Sequence, residues 1–367
     1  MDFTFDAEQT RFIEAVRRVL MLEMTPELIR ELWERDTGRS DTLWRLFAAQ
    51  GLCGVQVPTA QGGLGFDETT WAPLAEACGY FAVPEPLFDT ALVAAGLLRD
   101  LCEGGDVTVQ AERDRCLTLL DRIAAGRARV AVMHPSQPFV SDAHVADALI
   151  CHHEGALHLV TKHNMRLVPQ TSVDPSRRLF ILDGAPAAES RLLTADASAA
   201  HWDRAFDRAA LAVAAQLLGL AQHMLDLAID HAVQRKQFGK PVGANQAVKH
   251  ALADVAIQLD FARPVLYRAA YALANRHALA PTHVSHAKLA AMRVARLAAR
   301  HAMQAHGAIG YTWELDLQMF AKRAWALAGT WGDSAFHKRR VAMHVLGRTA
   351  LGTLTPIGPG STFAAGP

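Results

Sequence analysis

The sequence predicts a mainly α-helical protein with a small β domain set between two helical units. Three observations carry that expectation. Apolar residues recur at helical spacing through the first third of the chain. Short β-prone runs replace them from about Arg127 to Leu193, and a stronger helical period returns after Trp202.

In the first unit (1–126), Asp6-Ala7-Glu8-Gln9 reads as a capping box, and Phe12, Val16, Val19 and Leu20 follow at helical spacing. The pattern continues through Trp33, Leu43, Trp44 and Phe47. Val57-Pro58 and Gln61-Gly62-Gly63-Leu64-Gly65 break it, a composition suited only to turns or loops. Helices resume around Trp71 to Tyr80 and from about Thr90 to Leu98. The middle unit (127–200) offers strands at Val130 to Met133, Ala148 to Cys151, Leu157 to Val160 and Leu179 to Leu182, enough for a small sandwich or barrel.

In the third unit (201–350), Leu211, Ala214, Leu218, Ala221, Leu225, Ala228 and Ala232 form a narrow seam in steps of three and four. Further helices are expected at about Gln246 to Arg276, with Pro264 as a kink, at Thr282 to His306 and at Ala335 to Leu346. Together they predict a tight four-helix bundle. A Gly-, Pro-, Ser- and Thr-rich stretch (351–367) reads as a mobile tail.

Composition excludes several functions. A chain of 367 residues implies two or three domains at about 150 residues each. Its 37 basic and 37 acidic residues cancel, leaving no electrostatic footprint for nucleic acid or an anionic membrane. Hydrophobic residues at 51% and charged residues at 20% exclude a disordered chain. The acidic start lacks a signal peptide's basic and apolar regions, and Gln216, Gln222, His223 and Asp226 interrupt the longest apolar stretch, so a cytoplasmic location is expected. Cys53, Cys78, Cys102, Cys116 and Cys151 form no CxxC pair and read as reduced, mostly buried thiols. His134, His152, His153 and His158 have no metal-ligand spacing; no metal is expected, and they read as surface residues.

Three motifs resemble one family. Arg235-Lys236-Gln237-Phe238-Gly239-Lys240-Pro241-Val242, followed by Gln246, is similar to the signature of the acyl-CoA dehydrogenases. Gln304-Ala305-His306-Gly307-Ala308-Ile309-Gly310-Tyr311-Thr312-Trp313-Glu314 resembles their glycine-rich loop ahead of the penultimate helix, and Val57-Pro58 through Gly65 resembles an N-terminal segment. Alone, Arg235 would be a solvated helix-end charge and the glycines helix stops. Three motifs in register over about residues 1–350 favour the family.

The resemblance implies an FAD cofactor, an acyl-CoA substrate, an electron-transfer flavoprotein as acceptor and an oligomer with shared sites. Arg235, Gln237, Phe238, Gln246, Gln304, Gly307, Ala308 and Ser334 are the implied FAD contacts. The chemistry suits them: Arg235 can donate bidentately to a pyrophosphate, Gln246 offers amide donors and acceptors, and Gly307 and Gly310 permit close backbone approach.

The implied chemistry also needs a carboxylate base, and neither of the family's positions carries one. One falls on Gly332, in Trp331-Gly332-Asp333. The other falls on Ala209, ten residues before Gly219, with Asp207 turned about 200° away on a helix. Asp333 is the candidate base, one residue late and a methylene short; the competing role is a helix N-cap. In the β domain, Val132-Met133-His134-Pro135-Ser136-Gln137-Pro138 replaces the family's Thr-Glu-Pro loop, and Leu159-Val160-Thr161 only faintly echoes its Trp-Ile-Thr strand. The chain thus resembles the reduced subunit of bacterial α2β2 enzymes of steroid breakdown, partnered with a homologous subunit. A self-sufficient homo-oligomer using Asp333 and a non-catalytic scaffold are the other readings.

Overall fold

The computed structural model describes residues 5–162 and 166–347; the expected tail (351–367) lies outside them. Helix α1 (Ala7–Glu23) opens on the expected capping box. Asp6 accepts from the Glu8 and Gln9 backbone at 2.8 Å, and the Gln9 side chain accepts from Asp6 N at 3.0 Å. Helices α2 (Pro26–Glu34) and α3 (Asp41–Ala49) are capped by Thr25 and Ser40. The glycine-rich segment is a tight loop, with Gly62 and Gly65 at φ +73° and +67°, leading to α4 (Glu68–Tyr80). The helix expected near Thr90 begins as a π-helical turn (Asp89–Ala94) before α5 (Ala95–Gly104). Helix α6 (Gln110–Ala124) was not anticipated: its first turns are polar, and only Cys116, Leu119, Leu120 and Ile123 are buried.

The middle unit is two small sheets. One has the order β1 (Val130–Met133), β3 (Ala148–His153), β4 (Ala156–Thr161), β7 (Arg191–Leu193). The other has β2 (Val140–Ser141), β6 (Leu179–Leu182), β5 (Leu167–Gln170). Only β1 and β3 pair in parallel. Val140, Leu149, Cys151 and Val160 share a small core of their own. Strands β2, β5 and β7 escape the sequence because they are very short or, for β5, half-exposed at an edge with Pro169.

Helix α7 (Ala195–Gln234) is the spine, and the expected 200/201 boundary falls inside it. Its Ala-Asp-Ala-Ser start lacks the apolar period that begins at Trp202. Every residue of the expected seam from Leu211 to Ala232 is buried. By length and composition α7 could cross a membrane, but 72% of that stretch is buried inside the protein. Strands β8 (Lys236–Gln237) and β9 (Lys240–Pro241) form a hairpin after it. Helix α8 (Gln246–Ala274) runs on across Pro264, and α9 (Ala280–His306), α10 (Leu317–Ala328) and α11 (Ser334–Val345) complete the unit. The described residues therefore hold five helices here rather than four. Helix α10, twelve residues buried on most sides, shows no narrow apolar stripe. All five cysteines are free and buried.

Glycines bring α4 against α7. A Cβ on Gly219 would overlap the Glu76 carbonyl, and one on Gly79 would overlap that of Gln216. Nearby, buried Arg208 of α7 bridges Glu68 of α4 and Asp100 of α5, at 2.7 Å each. Burial pushes the Glu68 carboxyl up, but the Arg208 charge and hydrogen bond outweigh it and hold it below its ordinary value.

Arg208→Ala should cost about 3 kcal/mol in denaturant unfolding, since it removes the nearest cation of two buried carboxylates and leaves Glu68 with only Gln56 and the more distant Arg99. Because the Glu68 pKa is depressed on folding, its contribution is complete above the ordinary value of 4.5 and fades as the pH falls below it. Wild type should lose stability by that route on acidification, and Glu68→Gln should flatten the dependence.

Candidate functional site

The C-terminal end of α7 carries the first group of predicted residues. Arg235 caps the helix, and Val242 N donates to the Arg235 carbonyl at 2.8 Å, closing the β8–β9 hairpin. Its two-residue turn holds Phe238 at φ +51° and Gly239 at +76°, the left-handed pair a type I′ turn needs. Phe238 projects into solvent, 97% exposed. Gln246 opens α8 and is exposed.

At the end of α9, Gly307 adopts φ +68° and ψ −143°, and a Cβ there would meet nothing within 4 Å; backbone conformation demands this glycine. Gly310 is different. A Cβ on it would stand 3.1 Å from the Met303 carbonyl, so it serves packing against α9 rather than approach to a ligand. The His231 and His306 rings stack at 4.3 Å and join the two helix ends. Burial, then the neighbouring His306 and Arg235, lowers the His231 pKa and favours the neutral ring. Arg235, Gln237, Phe238, Gln246, Gln304, Gly307 and Ala308 are all exposed at this end.

Ser334 is not with them. It begins α11, which packs on the opposite end of α7 through Phe206–Phe336, at 5.1 Å, and Arg340–Asp207, at 2.5 Å. From Phe206 to Arg235 the helix rises about 40 Å. The predicted contacts thus divide into two groups that one chain cannot bring to one small molecule's end.

The Trp331-Gly332-Asp333 loop lies at this second end, held from below. Lys288 Nζ donates to the carbonyls of Leu327 at 3.2 Å and Thr330 at 2.9 Å. His337 bonds the Trp331 carbonyl and Ser285 Oγ, each at 3.0 Å. Burial, with Arg177 nearby, pushes Lys288 down to about 7, and burial pushes His337 down to about 4. Trp331, at φ +51°, packs on His134 and Phe206.

His134 is therefore not a surface residue: it is buried, pushed down to about 4, and bonded to the Trp202 carbonyl at 2.9 Å. His158 is buried as well, against Ser190 Oγ at 3.0 Å. Sequence reasoning had no signal for Lys288 or His337, whose role exists only through the carbonyls they meet.

Ala209 and Trp331 line one cleft, bounded also by Val83 to Asp89, Val213, Gln216, Arg177 and Arg323. Ala209 thus faces this cleft, Gly332 follows directly on its Trp331 wall, and neither position carries a carboxylate; the carboxyls that line the cleft are Glu85, Asp89 and Asp142. Asp333 is not among the cleft residues. It is exposed and accepts from Phe336 N at 2.7 Å as the N-cap of α11. Asp207 is committed to Arg340. Gly332 has φ +90°, and a Cβ on it would stand 2.6 Å from His337 Nε2 and 2.7 Å from Phe336 Cδ1. A glutamate at that position has no room.

The fold and these motifs match known proteins. The N-terminal domain model of the acyl-CoA dehydrogenases matches residues 6–99, and the C-terminal domain model matches residues 201–346. The acyl-CoA dehydrogenase IpdE2 of Mycobacterium tuberculosis is 31% identical over 319 residues, 86% of this chain and 91% of that protein. Its namesake in Mycolicibacterium smegmatis is 29% identical over 334 residues, 90% and 97% of the two chains. Among solved structures, the ChsE4–ChsE5 complex of Mycobacterium tuberculosis has the same fold, with a TM-score of 0.81 at 20% identity, covering 95% of this chain and 99% of that one. The chain belongs to the acyl-CoA dehydrogenase family, enzymes that are FAD-dependent oxidoreductases.

Gly332→Glu is expected to lower stability by about 1–3 kcal/mol through overpacking and left-handed strain, and to yield no dehydrogenase activity. Asp333→Asn should melt like wild type, whereas Asp333→Ala should lose about 1 kcal/mol with its cap. Calorimetric melting of the three variants checks both statements.

Proposed function

We propose that the protein takes part in α,β-dehydrogenation of an acyl-CoA thioester as one subunit of an α2β2 assembly with a homologous acyl-CoA dehydrogenase chain. In that assembly it supplies the ADP-side contacts to FAD. The observation that carries the proposal is the split between the ends of α7. One end presents an exposed cationic, amide-bearing hairpin and loop, and the other ends in a narrow cleft with no carboxylate at the two positions, Ala209 and Gly332, where the family carries its base.

The donor set at the first end fits an FAD pyrophosphate. Arg235, Lys236 and Lys240 are exposed, and none has a carboxylate partner within 4.0 Å among the described residues. Gln246 and Gln304 add amides, and Phe238 stands free to cover an adenosine face. The second end does not fit an isoalloxazine. Its cleft offers about 80 Å³, well under the roughly 300 Å³ or more of ordinary ligand pockets, and Trp331 occupies the space beside Gly332.

FAD, when bound, supplies acceptance of a hydride from the acyl β-carbon. This chain contributes anchoring and orientation, and the α-proton passes to a base on the partner subunit. Electron-transfer flavoprotein is the acceptor in this reading, and the assembly works in the cytoplasm. The ChsE4–ChsE5 structure is itself a complex, which supports a heteromeric assembly, and the likeness to a structure described as a steroid acyl-CoA dehydrogenase supports an acyl-CoA from steroid breakdown.

Purified alone, the chain should be colourless; with the homologous subunit it should form a flavin-bearing tetramer. Arg235→Ala should weaken FAD affinity about tenfold or more, since a charge-assisted hydrogen bond is worth about 1.5–3 kcal/mol. A yellow homo-oligomer that oxidises acyl-CoA unaided, or unchanged flavin binding in the variant, overturns the reading.

A further inference from the structure

The cleft beside Ala209 and Trp331 is small and mostly apolar in surface, yet several charged side chains reach it. Its approximately 80 Å³ is several times the roughly 10–15 Å³ that one water occupies on this measure. Two of the three arginines that line it are already matched: Arg39 pairs with Asp142, and Arg323 with Asp174. Arg177 is not. Its guanidinium donates to the Ala326 carbonyl at 3.1 Å and Ser141 Oγ at 3.4 Å, and among the described residues no carboxylate lies within 4.0 Å of it.

Across the cleft stands Asp89, in the π-helical turn before α5, a distortion frequent at functional sites. Its carboxyl has no hydrogen-bond partner among the described residues. Glu85, on the same wall, accepts from Ser40 N through one oxygen and leaves the other unpaired in a buried position. Burial, with Asp142 nearby, pushes Asp89 up to about 7, and burial pushes Glu85 up to about 7. A guanidinium hydrogen-bonded only to neutral oxygens, beside carboxyls that burial inclines to protonation, is the complement of one anionic oxygen pair.

We propose that this cleft binds a carboxylate, held by the Arg177 guanidinium and by the Asp89 carboxyl as hydrogen-bond donor. The carboxylate belongs either to a free short-chain acid or to the far end of an acyl thioester. The site requires neither FAD nor a base, so its test is independent of the heteromeric reading above.

Titration calorimetry on the full-length chain at pH 6 would compare propionate with propionamide, and succinyl-CoA with butyryl-CoA. The charged member of at least one pair should bind tenfold or more tighter than its neutral counterpart. Preference within the first pair assigns the free acid; preference confined to the CoA pair assigns the acyl end. Arg177→Gln should abolish the preference, whereas Asp89→Asn, still a donor, should keep it.

Wild type carries the test even if Arg177→Gln does not fold. Between pH 6 and 8 the binding should weaken fivefold or more, as Asp89 and Glu85 gain charge and Lys288 loses it. Arg39, Arg177, Arg323 and Asp142 also line the cleft, Asp174 sits behind Arg323, and burial favours the neutral rings of His134 and His337. Equal binding of charged and neutral ligands in both pairs, equal affinity at both pH values, or an unchanged preference in a folded Arg177→Gln overturns the proposal.

Discussion

Helix α4 lies so close across the middle of α7 that neither Gly79 nor Gly219 could carry a side chain, and the rest of the molecule is arranged around that contact. Close approach excludes water from both helices. That exclusion is what allows Arg208, Glu68 and Asp100 to pair without competition from solvent. The same exclusion makes the pairing obligatory, because each of those charges would be costly alone. Packing and charge thus act together to fix the N-terminal unit on the C-terminal one. The cleft between Val83–Asp89 and α7 inherits its shape from that fixed junction.

The length of α7, 40 residues with a buried middle, has a further consequence. The helix holds two chemically different surfaces about 40 Å apart, and no bending of one chain brings them together. Arg235, Phe238 and the Gly307 turn reach outward at one end, where the His231–His306 stack aligns two helix termini.

The opposite end is built for rigidity. Lys288 is wholly buried yet spends its donors on the Leu327 and Thr330 carbonyls, while His337 bonds the next carbonyl of the same loop. These contacts satisfy backbone groups that the turn leaves without partners, and Gly332 provides the left-handed conformation that lets the chain double back over His337. The position therefore gains a firmly held loop at the expense of any side chain at Gly332.

Local order was readable in the sequence wherever neighbours along the chain decide it. The Asp6–Gln9 capping box, the seam from Leu211 to Ala232, and the strands at Val130–Met133 and Leu179–Leu182 all depend on residues a few positions apart. The motifs around Arg235 and Gly307 were legible too, because their conformations are local. Tertiary structure alone decided which residues meet. It buried His134 against Trp202, separated Ser334 from Arg235, gave Asp333 to the cap of α11, and set unpaired Arg177 opposite Asp89. Helices α6 and α10 also emerged only there, since their stability comes from the surfaces that cover them rather than from a periodic stripe of their own. Charge and burial depend on distance in space, and distance in space is what a linear sequence does not contain.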